Sequence, residues 1–210
     1  MRNYSDIDNL IIKADEILNI FNIKSSGRPY PAKKTDDSEL SKEDKKLVTN
    51  LMRVNHAGEV AAQGLYIGHA LAAKSSSQRK MMLEMASEEK DHLLWCEKRI
   101  NELGGRASVF DPVWLVGSIG LGILSSFTND RNALGFLEET EIQVAEHLQS
   151  HLKRLPENDK KTKIVLEKMK ADEEKHSNTA HQSGAQEIPK PIKKIMEYTA
   201  NIMKEVSFRI

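Results

Sequence analysis

The sequence predicts an all-α fold in which four long helices form a bundle. The 210 residues are rich in Ala, Leu, Glu and Lys and contain only 5% aromatic residues, a composition typical of helical proteins. Apolar side chains recur at helical spacing through four long segments, which short or modest connections join. Glycine and proline are sparse outside a few places, and these places separate the segments.

The bundle helices belong to one predicted domain, residues 41–210, and residues 1–40 form an N-terminal extension and linker. Within the extension, residues 5–21 have amphipathic helical spacing, whereas residues 25–35 contain glycine and proline and are expected to be irregular. Ser41 with Asp44 indicates a capped helix start, and Gly104-Gly105 indicates a helix end. The predicted bundle helices span about 41–74, 77–103, 130–155 and 158–181, and a last helix follows Pro189 and Pro191 to the C-terminus.

The charge balance and the cysteine content exclude several classes of function. The chain carries 31 basic and 31 acidic side chains, so no excess positive charge attracts nucleic acid, which is not expected as a partner. A single cysteine, Cys96, excludes an internal disulfide framework and a cysteine-based zinc site. The first residues lack the apolar stretch of a secretory signal, so we expect a cytosolic or cytosol-facing protein.

One segment between the second and third bundle helices, residues 112–129, carries no charged side chain. Its 18 residues are slightly short for a membrane span of about 20, and its glycines permit close packing on another element. We expect this segment to contact a membrane, with Leu115, Ile119 and Ile123 contributing to the contact. The C-terminal helix mixes apolar residues with lysines, a pattern that fits either an interfacial helix or a helix docked on the bundle.

Two motifs of the same form lie on the second and fourth bundle helices. They are Glu89-Lys-Asp-His92 and Glu173-Glu-Lys-His176, and the Glu-x-x-His spacing places both side chains on one helix face. A single such motif in a chain rich in glutamate is usually a solvated charge pair. Here both motifs lie on apolar stripes, where a carboxylate is costly unless it is paired or binds a metal.

The first and third bundle helices each carry one glutamate in the same setting, Glu59 and Glu141. From Glu59 to Glu89 is 30 residues and from Glu141 to Glu173 is 32, so the two halves of the chain repeat around a predicted pseudo-twofold axis. Glu138, one turn before Glu141, remains an alternative, although the apolar stripe is centred nearer Glu141.

Several neighbours of these residues have simpler interpretations. Three could orient the candidate ligands by hydrogen bonds, although ordinary packing explains the two histidines equally well: His56, His147 and Asp172. Glu88 and Glu174 are expected to lie on the solvated surface, and Tyr66 and Cys96 are expected to lie in the core.

One glutamate on each of two helices and a Glu-x-x-His on each of the other two is the ligand scheme of ferritin-like di-iron and di-manganese proteins. Four carboxylates in one core would repel each other strongly unless two divalent cations neutralised them. Carboxylate oxygens with two imidazoles favour iron or manganese over a metal that prefers soft ligands. The predicted metal ligands, which are also the predicted catalytic residues, are Glu59, Glu89, His92, Glu141, Glu173 and His176.

The sequence around these residues resembles the demethoxyubiquinone hydroxylase family of ubiquinone biosynthesis. The resemblance rests on Leu51-Met-Arg-Val-Asn-His-Ala-Gly-Glu-Val, on Glu89-Lys-Asp-His92, on Glu139-Thr-Glu-Ile-Gln-Val-Ala-Glu-His-Leu and on Ala171-Asp-Glu-Glu-Lys-His. It covers roughly residue 41 to the C-terminus, and the Arg-Pro-x-Pro-Ala linker is similar to that of bacterial members. The family's ligands fall on the same residues that the spacing selects, with no departure.

The resemblance implies an oxygen-dependent monooxygenase with two iron ions per chain. Its prenylated quinol substrate would be a 2-polyprenyl-3-methyl-6-methoxy-1,4-benzoquinol, hydroxylated by molecular oxygen at the one unsubstituted ring carbon. It also implies a peripheral membrane protein on the cytoplasmic face of the bacterial inner membrane, with membrane lipid and other ubiquinone-biosynthesis proteins as partners. An electron donor is needed, for which NADH is one candidate, although the chain has no dinucleotide-binding glycine motif.

Two other functions are compatible with the same ligand set. Another ferritin-like di-iron protein, such as an iron oxidase or store or a peroxide scavenger, needs no lipid-facing segment, so residues 112–129 argue against it. A non-enzymatic membrane scaffold with a structural metal would bind metal tightly and consume no oxygen.

Overall fold

The computed structural model describes residues 24–36, 39–127 and 130–210, and in these ranges all regular secondary structure is helical. The predicted amphipathic segment, residues 5–21, lies outside the described residues. The helices are α1 (Lys42–Ala72), α2 (Ser76–Glu102), α3 (Asp111–Ser126), α4 (Asp130–Leu152), α5 (Lys160–Gln182) and α6 (Lys190–Arg209). The predicted all-α fold is confirmed: α1, α2, α4 and α5 are the bundle helices, and each begins and ends within three residues of its predicted bounds.

Local chemistry sets the ends of these helices. The Ser41 hydroxyl accepts a hydrogen bond from the Asp44 backbone N–H at 3.0 Å and donates one to the Asp44 carboxylate at 2.8 Å. Asp44 therefore contacts the capping hydroxyl rather than reaching back to the Ser41 backbone. At the end of α2, Gly104 has a φ of 75°, the left-handed conformation that the predicted glycine stop requires.

Two apolar clusters fill the bundle on either side of a polar layer. One cluster includes Tyr66 of α1, Met82 of α2 and Leu137 of α4. The other includes Met52 of α1 and Trp95 of α2, together with residues of α4 and α5. The candidate ligands lie between these clusters, because each is part of the apolar stripe that its helix turns toward the core. The fold thus buries polar side chains in the middle of the bundle.

Helix α3 crosses α1 at very short range because glycines remove the side chains at the contact. A Cβ atom at Gly64 of α1 would collide with the backbone carbonyl of Leu115, and one at Gly122 of α3 would collide with a carbonyl of α1. Ile119 packs on the apolar cluster that contains Tyr66, and Leu115 and Ile123 are half-buried. These three side chains are only partly exposed, and the prediction that Leu115, Ile119 and Ile123 contact a membrane stays a prediction.

The outer face of α3 is apolar and exposed. It consists of Val113, Val116, Leu121 and Leu124, and Phe127 follows at the end of the helix. Val116 is 68% exposed and Leu124 is 63% exposed. Throughout residues 24–36, 39–127 and 130–210, no helix has both the length and the apolar character needed to cross a membrane.

Helix α6 is docked on the bundle and still exposes apolar side chains. It packs against α1 and α4, and its Lys193 forms an ion pair of 2.8 Å with Glu139 of α4. Ile195 and Tyr198 on its opposite side are 62% and 68% exposed. The docked interpretation of this helix is confirmed, and its outer face is left uncovered by the described part of the chain.

Candidate metal centre

The predicted ligands meet in one buried site. Glu59 comes from α1, Glu141 from α4, and the two Glu-x-x-His motifs come from α2 and α5. All of these side chains are at most 3% exposed. They form two groups whose ligand atoms lie within 4.8 Å of one another and could hold a metal ion: Glu59, Glu89, His92 and Glu173, and Glu89, Glu141, Glu173 and His176. Glu89 and Glu173 belong to both groups, so each could contribute a ligand atom to either ion.

Several polar atoms at the centre lack hydrogen-bond partners. Glu89 Oε1, both carboxylate oxygens of Glu173 and His176 Nδ1 are buried without a hydrogen bond in the described part of the chain. His176 Nδ1 lies only 2.9 Å from Glu89 Oε1, so these atoms converge without being aligned as donor and acceptor. A buried carboxylate without a partner is costly, and divalent cations would remove both this cost and the mutual repulsion. The residues therefore fit a two-metal centre.

The same crowding shifts the pKa values of the carboxyl groups. Burial raises the pKa of Glu59 well above its ordinary value, and burial together with the charge of Glu173 does the same for Glu141. Burial also opposes the ionisation of Glu89, but the charges and hydrogen bonds of His92 and His176 together outweigh it and hold the pKa of Glu89 below its usual range. Metal binding at this centre would therefore displace protons from the carboxyl groups whose pKa is raised.

Each candidate ligand histidine contacts an acidic residue of the helix that carries the other Glu-x-x-His motif. His92 Nε2 lies 3.1 Å from Asp172 Oδ2, and His176 Nε2 lies 3.2 Å from Glu88 Oε2. Each of these acidic residues immediately precedes the glutamate of its own Glu-x-x-His motif. The contacts thus cross between α2 and α5, as the predicted pseudo-twofold relation requires. With Nε2 engaged in this way, Nδ1 of each ring is directed to the centre.

The observed contacts of Asp172, Glu88 and Glu174 test what the sequence predicted for each of these acidic residues. The orienting role predicted for Asp172 is confirmed by its contact with His92. The prediction that Glu88 is only a surface residue is wrong, because its partly exposed side chain reaches His176. The repeated acidic residue before each motif was the sequence signal that could have identified it. Glu174 is exposed and pairs with Lys170 at 2.8 Å, as expected.

His56 and His147, the two histidines considered as possible orienting residues, do not contact the centre. His56 lies 3.0 Å from Asp111 at the start of α3. His147 packs on His151, with 3.9 Å between the ring centroids. Neither contacts a candidate ligand within the described residues, so packing rather than ligand orientation explains both.

Tyr66 belongs to both the core and the centre. It is fully buried, as predicted, but its hydroxyl also donates a hydrogen bond to Glu141 Oε1, which the sequence did not indicate. Burial raises the pKa of Tyr66 well above its ordinary value, so the phenol remains a donor. Glu138, the alternative to Glu141, lies outside the cluster and contacts His181 at 2.9 Å. Cys96 is fully buried, as predicted.

An arginine of the N-terminal extension completes the outer layer of the centre. Arg28 Nη1 lies 2.7 Å from Asp172 Oδ2, and Arg28 Nε lies 2.8 Å from Asp91 Oδ2. The Arg28 guanidinium also lies 5.0 Å from the ring centroid of Trp95, whose ring is 5.2 Å from that of His92. Residues 24–36 are irregular, as predicted, yet they pack on the bundle. No local pattern could have identified Arg28, since 144 residues separate it from Asp172.

Fold and site together define a ferritin-like helical-bundle protein with a buried carboxylate and histidine cluster that could hold metal ions. A family model described as "Ubiquinone biosynthesis protein COQ7" matches residues 46–207, and the chain belongs to this family. The resemblance stated from the sequence is confirmed.

Individual relatives match along the whole chain. The chain is 45% identical over 213 residues to a protein of Legionella pneumophila, with all of both chains covered. It is 44% identical over 212 residues to a protein of Pseudomonas aeruginosa, covering all of this chain and 98% of the relative. It is 43% identical over 210 residues to a protein of Xanthomonas euvesicatoria pv. vesicatoria, covering all of this chain and 97% of the relative. Each of these relatives is named 3-demethoxyubiquinol 3-hydroxylase.

Proposed function

We propose that this protein is a di-iron monooxygenase that hydroxylates a 2-polyprenyl-3-methyl-6-methoxy-1,4-benzoquinol in ubiquinone biosynthesis. The observation that carries the proposal is the buried cluster of four carboxylates and two imidazoles, in a chain similar over its full length to relatives named 3-demethoxyubiquinol 3-hydroxylase. One atom of molecular oxygen would enter the ring and the other would leave as water. The reaction therefore consumes two electrons from a donor, for which NADH is one candidate.

In this proposal the cluster holds one iron ion at each end. Glu59 and His92 would bind one ion, Glu141 and His176 the other, and Glu89 and Glu173 both. When bound, the iron ions supply the electron transfer and oxygen activation that amino-acid side chains cannot provide.

The chain's own contribution is orientation and the exclusion of water. Asp172 and Glu88 face the Nε2 atoms of the two imidazoles and thereby fix which ring nitrogen faces the centre. Tyr66 donates a hydrogen bond to Glu141 and restrains that carboxylate. Since the candidate ligands are at most 3% exposed, bulk water has little access to reactive groups at the centre.

We further propose that the protein binds peripherally to the cytoplasmic face of the bacterial inner membrane. The exposed apolar residues on the outer face of α3 support this proposal, because a polyprenyl chain resides in the bilayer. Helix α3 crosses α1 at Gly64, five residues and about 8 Å along α1 from Glu59. A membrane on this face would bring the quinol close to the centre, and other ubiquinone-biosynthesis proteins could deliver it there. An iron store needs no such face.

The experiment uses cells that lack their own hydroxylase and carry this protein or a variant. Glu173→Ala and His176→Ala should abolish hydroxylation, so the unhydroxylated quinol precursor accumulates and ubiquinone is lost. Glu174→Ala is the matched control, because this exposed neighbour on α5 contacts Lys170 rather than the centre. Mass spectrometry of the quinone pool gives the readout. Normal ubiquinone with His176→Ala would contradict the proposal and favour a scaffold with a structural metal.

A further inference from the structure

A second polar site lies at one end of the bundle, in a cleft between α1, α4 and α6. The cleft has a volume of about 720 Å³, and its walls include Lys46, Asn50, His147, His151, Arg154 and Lys204. His151 is ten residues along α4 from Glu141, a distance of about 15 Å in a helix. The cleft is therefore separate from the candidate metal centre.

The charges on the walls of the cleft are predominantly positive. Lys46, Arg154, Lys204 and Arg209 line it, against the single carboxylate of Glu205. Arg209 forms an ion pair with Glu205, which satisfies that carboxylate. Within the described residues, Lys46, Arg154 and Lys204 have no carboxylate within ion-pair distance. Glu197 on α6 acts on the Lys204 ammonium only beyond ion-pair distance, so the walls of the cleft keep an excess of positive charge within the described residues.

Two imidazoles on the same wall have ring nitrogens without partners. His151 is only 2% exposed, and its Nδ1 makes no hydrogen bond in the described part of the chain. His147 is partly exposed, and its buried Nε2 likewise has no hydrogen-bond partner among the described residues. Burial lowers the pKa of both histidines, and the charges of Arg154 and Lys204 lower it further. Those charges would repel a metal cation from the imidazoles, whereas they would attract an anion. An anion would also provide the acceptor that a ring N–H lacks.

We propose that this cleft binds the phosphate group of an anionic ligand. A phosphate group has several strong acceptor oxygens and suits both the planar guanidinium of Arg154 and the compact ammonium of Lys204. The Arg154 guanidinium lies 5.4 Å from the ring centroid of Phe208, which restrains it at the cleft. The volume exceeds that of one phosphate group, so the remainder of a phospholipid headgroup or of a soluble phosphate ester also has room.

The test is isothermal titration calorimetry of the full-length protein as purified with inorganic phosphate at low ionic strength. The unmodified protein should bind, and Arg154→Gln and Lys204→Gln should each weaken binding roughly tenfold, because each removes a charge-assisted contact. Lys153→Gln and Lys190→Gln are matched controls, since these exposed lysines lie close in sequence or on the same helix but outside the cleft. Absence of binding, or equal affinity in all variants, would overturn the proposal and leave the cations as partners of the C-terminal ends of α4 and α6.

Vesicle sedimentation distinguishes the two sources of the phosphate group. The vesicles contain either phosphatidylcholine alone or phosphatidylcholine with phosphatidylglycerol. If the ligand is a lipid headgroup, Lys204→Gln should weaken binding only to the vesicles with phosphatidylglycerol, and inorganic phosphate should compete there. If the ligand is soluble, Lys204→Gln should weaken phosphate binding roughly tenfold and retain binding to both kinds of vesicle. Neither readout requires hydroxylase activity, so the result is independent of the proposed function.

Discussion

Replacing Asp172 with asparagine should weaken one iron position while preserving the fold. The Asp172 carboxylate contacts His92 Nε2 at 3.1 Å, Arg28 Nη1 at 2.7 Å and Lys168 Nζ at 2.5 Å. Although burial favours its neutral form, the hydrogen bonds from His92 and Lys168 and the charge of Arg28 hold the pKa of Asp172 well below its usual range. The side chain is therefore an anion at neutral pH, and Asp172→Asn removes the charge that orients His92 while keeping nearly the same volume.

The expected magnitude follows from the loss of this one partner. Removing a group that orients a metal-binding histidine typically costs about tenfold to hundredfold in metal affinity, or about 1.4–2.8 kcal/mol. Arg28 would keep its contact with Asp91 at 2.8 Å, so the N-terminal extension should remain attached. The loss should concern the ion next to His92, because Glu88 rather than Asp172 contacts the other imidazole. Arg28 Nη1 also lies 3.7 Å from Glu88 Oε2, and Asp172→Asn should leave that contact in place.

The assay is an iron titration against a competing chelator, in which the two binding steps are resolved. In Asp172→Asn one step should weaken and the other should change little, while the melting temperature of the metal-free protein shows that the fold is retained. Glu174→Gln, an exposed carboxamide substitution on the same helix, is the control. An unchanged affinity would show that Asp172 does not orient His92, and equal weakening of both steps would show that its effect is not local.

Three further predictions concern the ligands, the membrane and pH. Glu141→Ala should lose most of the bound iron by elemental analysis, whereas Glu138→Ala should retain it, because Glu138 lies outside the cluster; equal iron content would refute the assignment. Val116→Ser combined with Leu124→Ser should shift the protein from membranes to the soluble fraction with its iron retained, because each substitution removes about 2 kcal/mol of apolar burial; unchanged membrane binding would place the contact elsewhere. Burial lowers the pKa of His69 from 6.5 to about 4. As pH decreases through that range, the unfolded state therefore binds a proton at His69 before the folded state does. The free energy of unfolding should fall by at most about 3 kcal/mol from this residue. His69→Gln should flatten this pH dependence in denaturant titrations, and an identical pH dependence would contradict the reasoning.

The sequence by itself determined the helices and the residues that meet at the centre. Helical periodicity depends on side chains three and four residues apart, so an apolar stripe marks the buried face of each helix without knowledge of its neighbours. Glu59 and Glu141 could be selected because each interrupts such a stripe, and the Glu-x-x-His motifs because the spacing fixes two ligands on one face. The near-equal intervals between the ligands of the two halves also indicated their pseudo-twofold arrangement.

Only the tertiary structure decided which side chains contact the ligand histidines and their acidic partners, and which face of α3 is exposed. The contact of Glu88 with His176 depends on how α2 lies against α5, and Arg28 reaches Asp172 across 144 residues of sequence. The orientation of α3 follows from its close crossing at Gly64, which turns one apolar side toward α1, while no described residue covers the other side. In a segment without charges both sides are largely apolar, so hydrophobic periodicity does not mark which side is buried. Contacts between distant segments depend on the packing of whole helices, which local spacing does not encode.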